Sequence, residues 1–371
     1  MVPDRIDLAA LRRALVVKLR HHGDVLLTSP VFSVLKNHAP HVEIDALVYA
    51  DTEDMLSGHP SIARIFTVDR SWRTSGWTNQ LRQEWRLWQA LRGRRYDLLV
   101  HLTEHPRGGW LARTLGARFG VVRDYAPRRG RLFHGGFTHR YRVPARPRHT
   151  VETHLDALRR IGIQPGAEER RLVLVPGAPA EEVAREILQR NGLTASGYVC
   201  IHPTSRWMFK CWPAERVAEL IDRLQAADER IVLTSAPSDV ELRYVSQVKA
   251  RLRRPVVDLS GQLTLKQLAA LIARAKCFVG VDSAPMHMAA ALRTPCVALF
   301  GPSGEEEWGP WMSASRVVIS PHSCRPCGLD GCGQGKVSEC LTTIPVEDVL
   351  RAVETLVRDG SRTLVRAGSA A

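Results

Sequence analysis

Short apolar runs of β-forming residues alternate with helical stretches along almost the whole chain, and that alternation leaves few folds open. In the first half, residues 14–17, 44–48, 65–68 and 97–101 read as strands. In the second half, residues 198–201, 230–234, 277–281 and 296–300 repeat the pattern. Helical stretches lie between them, at 24–36, 81–91, 213–224, 265–275 and 284–292. Strands that are apolar on both faces and joined by helices form parallel sheets with right-handed crossovers. The series runs twice, joined across residues 162–179, which predicts an α/β chain of two Rossmann-like domains with parallel sheets facing a central cleft. The expected boundaries are 1–170 and 171–350, with 351–371 as a helix end and a polar tail, taken as disordered from Arg362.

With 371 residues and 44% hydrophobic content the chain can bury two ordinary cores. No apolar run approaches the ~20 residues of a membrane helix. Residues 1–10 carry Asp4 and Asp7 and no apolar stretch, so no secretory signal is expected and a cytoplasmic location is. The formal charge of +14 is unevenly spread. Residues 1–165 hold 27 basic against 15 acidic side chains, and the remainder 25 against 23. Between His105 and Arg148 stand eleven arginines and one acid, Asp124. Such a field attracts polyanions: nucleic acid, an anionic membrane face or a phosphorylated glycolipid. An arginine-rich genome would also raise the count, but it does not explain the concentration in one half.

Ligands of open α/β sheets bind beyond the carboxyl ends of the strands, so the loops there are where chemistry is sought. The first is Lys18-Leu19-Arg20-His21-His22-Gly23-Asp24-Val25. A glycine followed by an acid at a strand-to-helix turn places Asp24 to take a proton from an acceptor hydroxyl, unless it only caps a helix. His21 and His22 are rival bases. Pro30 either opens the following helix or kinks one begun earlier. The second loop, His202 to Pro213, offers the hydroxyls of Thr204 and Ser205 and the compact cation of Lys210, suited to a phosphate leaving group. Its Trp207, Phe209 and Trp212 read as core. In the third, a buried strand runs into Asp282, Ser283, Ala284 and Pro285, with His287 one turn on. Free backbone N–H groups at such a helix start suit a diphosphate, although an ordinary capped turn has the same look. Finally, Cys324-x-x-Cys327 with Cys332 and Cys340 can hold a structural zinc, or the thiols stay free; the spacings are not those of a standard finger.

Together these segments resemble the lipopolysaccharide heptosyltransferases of glycosyltransferase family nine, from about Arg13 to about Leu350. Residues 278–292 and 299–302, the Phe-Lys-Cys-Trp at 209–212 and the Ser-Glu-Cys-Leu at 338–341 are especially similar to the heptosyltransferase III branch. The resemblance implies the GT-B fold, an acceptor-binding first domain and a nucleotide-sugar-binding second one. It implies inverting, metal-independent transfer of L-glycero-D-manno-heptose from ADP-heptose to a heptose of the lipopolysaccharide inner core, with no cofactor. The base falls on Asp24 and the donor-phosphate lysine on Lys210. The remaining donor contacts fall on Thr204, Ser205, Asp282, Ser283, Ala284 and His287. Like charges keep Asp282 off the phosphates, leaving it a sugar hydroxyl or a capping role. The first heptosyltransferase of the family carries a ribose-binding glutamate after the strand matching 230–234. Here the loop reads Ser235-Ala236-Pro237-Ser238-Asp239, with only Asp239 as candidate, and the lysine segment is one residue longer.

The anionic acceptor is lipid-anchored, so the resemblance implies peripheral contact with the inner face of the inner membrane. Another family member, adding the first or second heptose or using a different nucleotide sugar, is the close alternative. A nucleic-acid-binding protein is the distant one. No zinc-finger, RNP or helix-turn-helix pattern supports it, and aromatics are not interleaved among the arginines, so no nucleic acid is expected as partner.

Overall fold

The computed structural model describes residues 5–74, 76–124 and 130–367, and the chain divides into two compact units, Met1–Val175 and Pro176–Ala371. In the first unit, β1 (Arg13–Lys18), β2 (Glu43–Tyr49), β3 (Arg64–Val68), β4 (Leu98–His101), β5 (Phe119–Arg123) and β6 (His139–Tyr141) form one sheet in the order β3-β2-β1-β4-β5-β6. In the second, β7 (Tyr198–His202), β8 (Arg230–Leu233), β9 (Val257–Asp258), β10 (Cys277–Val281), β11 (Cys296–Phe300) and β12 (Ser315–Ile319) are ordered β12-β11-β10-β7-β8-β9. All pairings are parallel. Both sheets therefore have the doubly wound order in which the first strand sits between its second and fourth, as the alternating pattern predicts.

The central strands are covered on both faces. Residues 14–18 of β1 and all of β4, β7, β10 and β11 are buried, which is why they read as unbroken apolar runs. Sequence reading missed β5, a buried interior strand, as well as three that are short or peripheral. β9 has two residues, β6 three, and β12 is a sheet edge with three of its five residues exposed. The predicted 24–36 helix is two: α1 (His22–Leu26) and α2 (Ser29–His38), with Pro30 in the first turn of α2. Proline there loses no hydrogen bond, so it opens the second helix rather than kinking one. Two further helices of this unit matter below, α3 (Trp77–Gly93) and α4 (Pro106–Thr114).

In the second unit the final helix, Val346–Ala367, runs past Arg362, where sequence reading expects a disordered tail. Val349, Val353 and Leu356 pack it into a core with Val279, Val297 and Trp212. Among the described residues no helix is long and apolar enough to cross a membrane.

A carboxylate lies in the first core. Asp45, in mid-β2, is fully buried and accepts from Tyr96 Oη at 2.8 Å and Arg94 Nε at 2.7 Å. Stripping the carboxylate leaves a buried phenol without its acceptor and Arg94 with Glu43 alone, which costs more than the network contributes when intact. Asp45→Ala is expected to lose about 3 kcal/mol or more in urea unfolding and Tyr96→Phe about 1 kcal/mol; equal, small losses would mean the network relaxes into solvent.

Candidate active site

In the first unit the strand order opens the sheet between β1 and β4, and the loops leaving their carboxyl ends diverge there. Asp24 lies in the first turn of α1, whose N-cap is His21, so it does not cap the helix itself. Its carboxylate is 3.6 Å from Lys18 Nζ and 21% exposed, where the lysine is 7% exposed. Lys18 ends β1 and finds acceptors in three directions. Besides Asp24, its ammonium donates to Leu102 O at 3.2 Å and meets His154 Nε2 at 2.9 Å. His154 Nδ1 faces Leu27 O at 3.1 Å, and a carbonyl only accepts, so Nδ1 carries the hydrogen and Nε2 the lone pair that Lys18 needs. Burial and the neighbouring ammonium hold the His154 pKa well below its usual value, in keeping with that neutral ring.

Burial pulls the Lys18 pKa down from 10.5 to about 8, against the Asp24 carboxylate, which raises it. Lys18 is thus a cation near pH 7, held beside the candidate base. Next to this loop lies a cavity of about 310 Å³ lined by Arg20, His21, Tyr49, Arg70, Glu104 and His105 among others. The Arg70 guanidinium lies 3.9 Å from the Tyr49 ring centroid and donates to Arg20 O at 3.0 Å. The result is a polar cavity with aromatic walls, open at the strand ends, of the kind that holds a small polar ligand. Of the arginine-rich stretch, Arg128 and Arg129 lie outside the described residues.

In the second unit the corresponding opening lies between β7 and β10. Lys210, in a short 3₁₀ turn (Met208–Lys210) beyond β7, donates from Nζ to Asp282 Oδ2 at 2.5 Å just beyond β10. Asp282, expected at a sugar hydroxyl or as a cap, is paired with this lysine, and the N-cap is Ser283. Ser283 is the N-cap of helix Ala284–Ala291, but its hydroxyl donates to Val281 O at 3.3 Å rather than capping the first turn. Ala284 opens that helix and His287 is buried one turn on.

Thr204 and Ser205 are both buried, and the Thr204 hydroxyl donates to Glu241 Oε2 at 2.6 Å. Ser205 Oγ accepts from Trp207 N at 3.3 Å. Phe209 and Trp212 are core, but Trp207 is 45% exposed, with the Arg206 guanidinium 5.6 Å from its ring centroid, contrary to the core reading.

Glu241 is the residue that sequence reading missed. It lies in the first turn of helix Asp239–Lys249 behind the N-cap Ser238, and its carboxylate also accepts from Ala236 N at 3.2 Å. The Ser-x-x-Glu spacing at 238–241 is the signature of a capping box and could have flagged it. Here the glutamate turns toward Thr204, tying the loop after β8 to the loop after β7.

Three of the four clustered thiols, Cys324, Cys327 and Cys332, are exposed and Cys340 is buried. Among the described residues no group of three or more His, Cys, Asp or Glu side chains is arranged to hold a metal ion.

The family profile "Glycosyltransferase family 9 (heptosyltransferase)" matches residues 84–337. Lipopolysaccharide heptosyltransferase 3 of Escherichia coli is 35% identical over 340 residues, 91% of this chain and 97% of that one. The crystal structure of a family 9 glycosyl transferase from Veillonella parvula superposes with a TM-score of 0.82 at 24% identity, covering 96% of this chain and all of the other. The E. coli ADP-heptose lps heptosyltransferase II superposes with a TM-score of 0.74 at 21% identity, covering 94% and 99%. The two doubly wound units thus make the GT-B fold of these neighbours.

The Lys18 environment gives a pH test. Below pH about 8 the lysine is protonated folded and unfolded, and the folded chain bears the full cost of the buried charge. Between about 8 and 10.5 only the unfolded chain still holds the proton, so folded stability rises with pH through that window. Against a Lys18→Met variant, the wild type is expected to gain about 3 kcal/mol between pH 7 and pH 10 in urea unfolding. A pH-independent difference between the two would mean that Lys18 is not held out of water.

Proposed function

This chain belongs to glycosyltransferase family 9, the heptosyltransferases, and we propose that it transfers L-glycero-D-manno-heptose from ADP-heptose to a heptose of the lipopolysaccharide inner core, inverting the anomeric centre without a metal ion. The observation that carries this reading is the 35% identity to E. coli lipopolysaccharide heptosyltransferase 3 over nearly the full length of both chains. The donor is supported by the name of the structurally similar E. coli ADP-heptose lps heptosyltransferase II.

Each unit supplies one half of the chemistry. Asp24 takes the proton from the acceptor hydroxyl as its oxygen forms the new bond to the anomeric carbon. Lys18 stands 3.6 Å away and holds a positive charge beside it. As the bond from the anomeric carbon to the diphosphate oxygen breaks, the electron pair leaves with ADP. Lys210 meets the growing charge, supplying the positive field that a divalent ion supplies in metal-dependent transfer. Asp282 aims Lys210 and leaves two of its three N–H groups for phosphate oxygens. The backbone at Ser283 and Ala284, at the start of a helix, adds dipole at the same end of the sheet. Ser205, beside Lys210 in the loop, and the buried His287 complete the donor side. Thr204 gives its proton to Glu241, so it lines the donor loop as an acceptor whose place Glu241 fixes.

The acceptor is anionic and lipid-anchored, and the cavity beside Asp24, in the basic half of the chain, suits it. On this reading the protein works in the cytoplasm against the inner face of the inner membrane, with no nucleic acid as partner. The free-thiol arrangement fits a catalytic cycle in which Cys324, Cys327, Cys332 and Cys340 take no part.

The test is ADP release with ADP-heptose and lipopolysaccharide cores truncated at successive heptoses. Turnover is expected with one core, and Asp24→Ala should lower it by 10²-fold or more while ADP binding by calorimetry stays unchanged. Lys210→Met should weaken ADP binding and turnover together. A protein that binds no ADP-heptose, or an Asp24→Ala variant that turns over normally, would overturn the reading. Glu241→Ala, by releasing Thr204, is expected to raise KM for the donor several-fold with kcat little changed; a fall in kcat alone would assign Glu241 to the chemistry instead.

A further inference from the structure

The first unit carries an outward apolar face that neither its core nor the proposed reaction uses. Along α3, Trp77, Leu81 and Trp85 follow at helical spacing and stand exposed in one stripe, whereas Leu87 and Leu91 face the core and Trp88, half-buried, joins the two sides. Trp77 is 75% exposed, Leu81 60% and Trp85 56%. Trp110 of α4, also exposed, extends the patch: the Trp85 and Trp88 rings are 4.7 Å apart, and Trp88 and Trp110 6.4 Å. Tryptophans are costly to leave in water, and a contiguous cluster of them marks a contact surface.

The charge around the stripe states what it contacts. The two helices hold five arginines, Arg82, Arg86, Arg92, Arg107 and Arg113, against a single acid, Glu84. Arg107 takes up that carboxylate with both terminal nitrogens, Nη2 at 2.5 Å. Arg92 lies 4.9 Å from the Trp88 ring centroid. Arg82, Arg86 and Arg113 are exposed and pair with no carboxylate among the described residues. A second copy of the chain would bring like charges together on this face, and an uncharged apolar partner would leave the arginines unpaired. Amphipathic indole rings flanked by unpaired cations match the boundary of a bilayer bearing phosphate headgroups.

We propose that α3 and α4 form a docking face for an anionic phospholipid surface. Trp77, Trp85 and Trp110 enter the headgroup layer, while Arg82, Arg86 and Arg113 meet lipid phosphates. This rests on the membrane location proposed above and assigns the surface that makes the contact, and it needs neither donor nor acceptor to be observed.

The test is co-sedimentation of the full-length protein with vesicles of phosphatidylethanolamine and phosphatidylglycerol, and with vesicles of phosphatidylcholine alone. The wild type is expected on the anionic vesicles only, with tryptophan fluorescence quenched by brominated lipid. Each basic residue near an anionic surface is worth about a fivefold change in partitioning, so Arg82→Glu/Arg86→Glu should lower binding by about 25-fold or more. Trp77→Ser/Trp85→Ser should lower it by on the order of tenfold or more and abolish most of the quenching. All four side chains are exposed, and unchanged circular-dichroism melts would confirm that both variants fold. Failure of the wild type to bind anionic vesicles, variants that bind like the wild type, or a wild-type dimer that the variants dissolve would each overturn the proposal.

Discussion

Everything at the candidate site of each unit depends on one topological constraint: the first strand of each sheet must hydrogen-bond to two parallel neighbours that leave in opposite directions. β1 pairs with β2 on one side and β4 on the other, and β7 with β8 and β10. Right-handed crossovers then send the two following helices to opposite faces, and a gap opens over the carboxyl ends where no helix covers the sheet. Lys18 and Leu102 lie at that gap in the first unit, and so do Lys210 and Asp282 in the second. The register Gly280↔His202 sets β10 beside β7, and the two chains emerge side by side. Lys210 and Asp282, 72 residues apart in sequence, are thereby held at 2.5 Å.

The chemistry of both gaps is that of a cation placed beside a carboxylate in partial burial. Taking either charge alone out of water is expensive, and a partner at short range offsets the cost without removing it. Lys18 shows the balance. Three acceptors surround it and still its pKa falls, so desolvation outweighs the attraction of Asp24. Such a group is pre-set rather than stabilising: it gives up folding free energy to hold a fixed field where charge changes during reaction. Lys210 has the simpler arrangement, a single carboxylate, Asp282, that neutralises it.

Sequence alone disclosed those parts of the fold whose burial is uniform. β1, β4, β7, β10 and β11 have apolar, buried centres and were legible; β5 is equally buried and was missed, while β12 is an exposed edge and β6 spans three residues, so neither has a pattern of its own. Asp24, Lys210 and Asp282 were legible because they follow strands, and a loop after a strand is where such folds work. Lys18 was not, since its meaning comes from Leu102 and His154, which only the folded sheet brings near. Glu241 was hidden inside a helix start that local rules explain as a cap, and its second role exists only once β8 lies beside β7. Periodicity also misleads where a helix has two apolar sides. The 81–91 stretch reads as amphipathic, but period alone does not distinguish the Leu87 and Leu91 side, which is core, from the tryptophan stripe, which is not.

The uneven charge follows from how the acids of the first unit are spent. Asp45 is consumed by Arg94, Glu84 by Arg107, and Glu152 and Asp156 by Arg148, Arg159 and Arg170. With its acids engaged in local pairs, the unit presents its surplus of arginine to solvent instead of cancelling it. A compositional bias acting on the whole chain would raise the balance in both halves, but residues 166–371 hold 25 basic against 23 acidic side chains. Surplus positive charge costs self-repulsion, and a fold keeps it where an anionic partner returns that cost. In the proposed reaction a soluble nucleotide sugar needs only one lysine and a helix start, which a nearly neutral domain can supply. The concentration of arginine in the other unit therefore argues for a partner larger than the donor and negatively charged over an area, which is the character of a phosphorylated lipid surface.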